Sequence, residues 1–95
     1  MSVTESLTLA VEKACGQRVE HLESVPVIET FRGKVLWEGM VEIYTLPLSP
    51  PERAYAWTEN EGSDDLQFIV IRGLPPINSP LDAVRAWIVS QIRKN

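Results

Sequence analysis

Cys15 and His21 are the chain's single cysteine and single histidine, six residues apart, and a thiol beside an imidazole is the simplest nucleophile–base pair. To act as one, they must meet in space with an oxyanion site beside them. Cys15 falls at the end of an apparent helix, where the dipole disfavours a thiolate, so a packed cysteine and a surface histidine are the expectation. One His and one Cys also leave a zinc site short of its usual ligands. The run Glu59-Asn60-Glu61-Gly62-Ser63-Asp64-Asp65 is rich in oxygen. A calcium loop of the EF-hand kind needs a closing Glu six residues beyond its glycine, and that position is Phe68. A solvated hairpin tip is the better account. Pro47-Leu48-Ser49-Pro50-Pro51 has the spacing read by polyproline-binding grooves, but no basic residue flanks it before Arg53, so it reads as a stiff connector. No catalytic residue, metal ligand or cofactor follows from these segments.

The balance of charge narrows the partners. The 95 residues carry a formal net charge of −4, and their cations are scattered apart from Arg93-Lys94. Such a chain is repelled by phosphate backbones, which argues against nucleic acid as a partner. The lone cysteine excludes an internal disulfide. The start Met1-Ser2-Val3-Thr4-Glu5 lacks the order of a signal peptide, and no apolar run is long enough for a membrane span. These features imply one cytoplasmic domain with no membrane partner, spanning residues 1–95. Hydrophobic residues make up 44% of the sequence, enough for a real core.

The elements that must position any site follow from periodicity. Leu7, Ala10, Val11 and Ala14 share one helical stripe over residues 4–15, with Ser2 or Thr4 as the cap and Gly16 as the stop. Residues 17–31 have no clear period. Pro26 blocks a helix there, and residues 26–31 read as an additional edge strand entering the turn Arg32-Gly33. Residues 34–45, 53–59 and 66–72 read as strands. Gly39 marks a bulge or a close backbone approach. Ser79 and Pro80 open a final helix with Asp82 in its first turn. Leu81, Val84, Ile88 and Ile92 form its expected buried stripe, Val89 and Trp87 its shoulders. The Arg85 stem should pack while its head finds water or a carboxylate.

The order α-β-β-β-α defines an α+β domain: a three-stranded antiparallel meander with both helices on one face. Double-stranded RNA-binding domains share that order, yet they need a lysine-rich start to the last helix, and here it is Asn78-Ser79-Pro80-Leu81-Asp82. The strands look apolar on both faces. Val35, Trp37, Val41 and Ile43 share one parity, and Phe68-Ile69-Val70-Ile71 runs without a polar break. In the middle strand small Ala54 and Ala56 alternate with Tyr55 and Trp57. If the alanines lie under the helices, the aromatics form an open patch.

The segment Val35-Leu36-Trp37-Glu38-Gly39-Met40-Val41-Glu42-Ile43-Tyr44, with Ala54-Tyr55-Ala56-Trp57 and Leu74-Pro75-Pro76 before a Ser-Pro-capped helix, resembles a family of small uncharacterised bacterial proteins over residues 34–92. The resemblance implies a stand-alone bacterial cytoplasmic domain and brings no activity. The expected function is a non-enzymatic interaction module, a homodimer or adaptor. Its expected partner-binding residues are Met40, Tyr44, Tyr55 and Trp57, with edge-strand addition as a further means of docking. The alternative is a small-molecule binder or enzyme whose pocket is lined by Trp37, Glu42 and Arg85.

Overall fold

The computed structural model describes residues 3–93. Helix α1 (Val3–Cys15) is followed by strands β1 (Glu20–Phe31), β2 (Lys34–Leu46), β3 (Glu52–Glu59) and β4 (Gln67–Arg72), then by helix α2 (Pro80–Arg93). The strands form one antiparallel sheet in the order β1-β2-β3-β4. The α+β class therefore stands, with four strands rather than three. The edge segment expected at 26–31 is the second half of a twelve-residue strand. Its N-terminal half escapes a period-two reading because the register shifts between His21 and Glu23, with Leu22 as the extra residue; a second shift between Glu29 and Thr30 puts the extra residue, Leu36, in β2. Pro26 is tolerated because β1 is an edge strand.

Local signals account for the boundaries. Gly16 ends α1 with φ +72°, and its amide reaches the carbonyl of Glu12 at 2.8 Å, as a left-handed cap requires. Ser2 lies outside the described residues, and Thr4 sits inside the helix rather than before it. At α2 the Ser79 Oγ accepts from the Asp82 amide at 3.1 Å, while Asp82 accepts from the Asn78 amide at 3.3 Å. Arg32 and Gly33 both have positive φ, 53° and 78°, which gives the β1–β2 connection the twist that a two-residue hairpin needs. Gly39 is not a bulge. It sits in regular register opposite Val27, and a Cβ there would come within 3.0 Å of the Trp37 ring.

The helices do not share a face. Leu7 and Val11 of α1 pack with Tyr44, Leu46, Ala54 and Ala56, joined by Phe68 and Val70. Ala83 and Val84 of α2 pack with Val27, Val41, Ile43, Tyr55 and Trp57. Consecutive side chains on a strand point to opposite faces, so these two cores lie on opposite sides of the sheet. Both faces need covering, and each helix covers one of them. They do so diagonally, α1 over β3 and β4, α2 over β1 and β2. Small alanines admit α1, and the large aromatics beside them fill the space under α2.

Burial separates the tested positions clearly. Trp57 is 1% exposed and Met40 is 50% exposed. Trp57→Ala should cost about 3–5 kcal/mol in urea unfolding. Met40→Ala should stay within about 0.5 kcal/mol of the parent.

Candidate functional site

The aromatic patch anticipated on the sheet is closed. Tyr44, Tyr55 and Trp57 are all buried, Tyr44 under α1 and the other two under α2. Burial also pushes the phenols of Tyr44 and Tyr55 up from their ordinary value. Met40 alone of the four expected contact residues reaches the surface.

The thiol and the imidazole have separate occupations. Cys15 packs against the core under α1, and burial raises its pKa, which keeps the sulfur protonated and a poor nucleophile. His21 Nε2 lies 2.8 Å from Glu42 Oε1, and its ring stands edge-on to Tyr44. Among the described residues, no three His, Cys, Asp or Glu side chains gather as metal ligands would. The acidic loop after β3 is a hairpin tip, with Ser63 Oγ donating to the Asn60 carbonyl at 2.8 Å.

Two concavities remain of interest. The first opens beside the end of the β2–β3 ladder, whose last pair on that side is Glu42 with Ala56. This cleft of about 400 Å³ is lined by Trp37, Glu38, Glu42, Trp57, Glu59 and Glu61, among others. Its carboxylates are largely engaged within the chain. Glu59 Oε1 accepts the indole N–H of Trp37 at 2.7 Å and that of Trp57 at 2.9 Å. Glu42 accepts from Ser24 and meets His21, and Glu61 accepts from Thr58 at 3.4 Å. The cleft gathers Trp37 and Glu42 of the alternative small-molecule pocket, but Arg85 lies in the other concavity.

The second concavity is an apolar groove of about 440 Å³ between the tip of the β1–β2 hairpin and the C-terminal half of α2. Phe31 and Leu36 line one wall, and Ile88, Val89 and Ile92 line the other. Glu29 and Arg85 form its polar end as a hydrogen-bonded ion pair. The Arg85 hydrogen bond holds the Glu29 carboxyl below the usual range, and the pair raises Arg85 in turn. Phe31 is 59% exposed, Leu36 51%, Val89 46% and Ile92 67%, so the groove is broad and open to solvent. The stripe expected to be buried along α2 is buried at Val84, but the helix runs past its cover and leaves Ile92 out. The sequence did carry a signal here. Ile92 and Val89 on an amphipathic helix, with Phe31 and Leu36 at a hairpin tip, are more apolar side chains than two short elements can hide.

Elsewhere, β4 is a free sheet edge, and no helix among the described residues is long and apolar enough to cross a membrane. No protein-family model matches the chain, and neither a curated protein nor a solved structure is detectably similar to it.

The two polar clusters make separable demands. Glu59→Ala strips two indole N–H groups of their acceptor and should lower unfolding free energy by about 2 kcal/mol, with Glu59→Gln losing less because it keeps a carbonyl oxygen. Glu29 has a depressed native pKa, so its contribution to stability is present above its unfolded value of about 4.3 and is lost as pH falls through the native value. Acid unfolding curves should show that loss in the parent and a smaller acid-dependent loss in Glu29→Gln.

Proposed function

We propose that this chain is a non-enzymatic protein-interaction module that docks a partner in the groove between the β1–β2 hairpin tip and α2. The observation that supports this reading is the open apolar lining itself: Phe31, Leu36, Val89 and Ile92 are all exposed around one concave surface. Contiguous apolar surface of this kind marks interaction sites far more often than scattered single exposures do. A lone, well-covered domain would be expected to tuck these side chains away, as it does those of Val11, Val41 and Val84.

The partner-binding role expected of Met40, Tyr44, Tyr55 and Trp57 moves with the apolar surface. Tyr44, Tyr55 and Trp57 anchor helices of their own chain, which removes the support for a homodimer sealed by those rings. An adaptor role keeps its support, now through α2 and the hairpin. A role in catalysis has less to draw on, since the thiol is held protonated and the histidine is bound to Glu42.

A photo-crosslinking amino acid placed at Val89 tests the reading in the protein's native cells. The expected outcome is one discrete covalent adduct from position 89. It should be absent from a probe at Leu9, an exposed apolar residue on α1, and suppressed when Ile92→Asp is added. Equal labelling from positions 89 and 9, or no discrete adduct from 89, overturns the proposal.

A further inference from the structure

The groove has a charge character opposite to that of the whole chain. Of the nine Lys and Arg residues, Arg85 is in the lining and three more adjoin lining residues: Arg32 in the turn beside Phe31, Lys34 opposite Phe31 in the ladder, and Arg93 next to Ile92 in the chain. The groove's one carboxylate, Glu29, is already joined to Arg85. Acidic side chains are plentiful elsewhere, above all in the cleft by Glu59, yet the exposed neighbours of Phe31 and Ile92 are the cations Arg32, Lys34 and Arg93. The Arg32 guanidinium lies 5.2 Å from the centre of the Phe31 ring, which places a positive charge directly beside the most exposed aromatic of the lining.

Resting on the docking role proposed above, we infer that the partner is a short peptide segment whose apolar side chains fill the groove and whose flanks are acidic. Apolar contact supplies the affinity, and carboxylates beside the anchors meet Arg32, Lys34 and Arg93, which sets orientation and suppresses basic competitors. A second copy of the chain fits less well. A two-fold contact through this groove opposes its cationic rim to itself, and the bodies behind it each carry a net charge of −4. An anionic bilayer also fits less well. The lining is concave between a hairpin and a helix, and the net negative charge of the chain repels such a surface.

A displayed library of random peptides selected on the purified full chain tests this, with Ile92→Asp as the counter-selection target. Ile92 is exposed, and an unchanged circular dichroism spectrum and unfolding midpoint establish that the variant folds. Selected peptides are expected to be apolar with a net negative charge. They should bind roughly tenfold more weakly to Ile92→Asp and to the charge-reversed Lys34→Glu/Arg93→Glu chain, and more weakly as salt is raised. Peptides that need the groove but show no acidic bias would overturn the partner class and leave the docking role standing. Failure of any peptide to distinguish the parent from Ile92→Asp would overturn the docking role as well. Sedimentation with phosphatidylserine vesicles that is lost in Ile92→Asp would assign the groove to a membrane surface and overturn the peptide.

Discussion

The two hairpins of this sheet are held together, beyond the point where their shared ladder stops, by one carboxylate. Backbone pairing between β2 and β3 runs only from Leu46 back to Glu42. Past it, Glu59 takes the indole N–H of Trp37 from one hairpin and that of Trp57 from the other. Hydrogen bonds to a charged acceptor are among the stronger ones a protein makes, and here they stand where strand pairing would otherwise be. The rings continue the connection. Trp37 meets Trp57 edge-on with centroids 5.4 Å apart, and Trp57 meets Trp87 of α2 at 6.0 Å. A glycine at position 39 gives the Trp37 ring its room. The position of α2 over β1 and β2, and with it the groove, depends on this chain of contacts.

Much of the fold could be read from the sequence because the relevant physics is local. The Ser79–Pro80–Asp82 start of α2, the Gly16 stop of α1, the alternation in β3 and the unbroken apolar run of β4 need no knowledge of distant contacts. Both β1 and the layering require it. In β1 an extra residue, Leu22, breaks the side-chain parity, and a proline in the middle mimics a break. For the layering, one residue pattern supports two outcomes. Ala54 and Ala56 alternating with Tyr55 and Trp57 shows that the two faces differ in depth; it does not show that only one of them is covered. The surplus of apolar surface was real, but most of it was answered within the chain by a second helix.

What remained unanswered is smaller and better defined. Arg85 found its carboxylate in Glu29, as a long amphipathic side chain at that place on the helix should. Beyond that pair α2 continues for two further turns, in which Trp87 and Ile88 still reach the core but Val89 and Ile92 stay exposed. A hairpin tip that projects past the rest of the sheet faces those turns from the other side of a gap. The groove is thus a product of unequal lengths: β1 and β2 outrun the five-residue ladder shared with β3, and α2 outruns the sheet residues that cover it.

The diagonal placement of the helices divides the interior into two oily compartments that never touch directly. One holds Leu7, Val11 and Tyr44; the other holds Val41, Trp57 and Val84. The stretch where Glu42–Leu46 pairs with Glu52–Ala56, continued by Phe68–Ile71 of β4, serves as a wall for both. Peeling away either helix leaves that wall still supported from behind, whereas the outer ends of the strands lose their only backing. Its amide protons should therefore be the last in the molecule to trade with solvent deuterium.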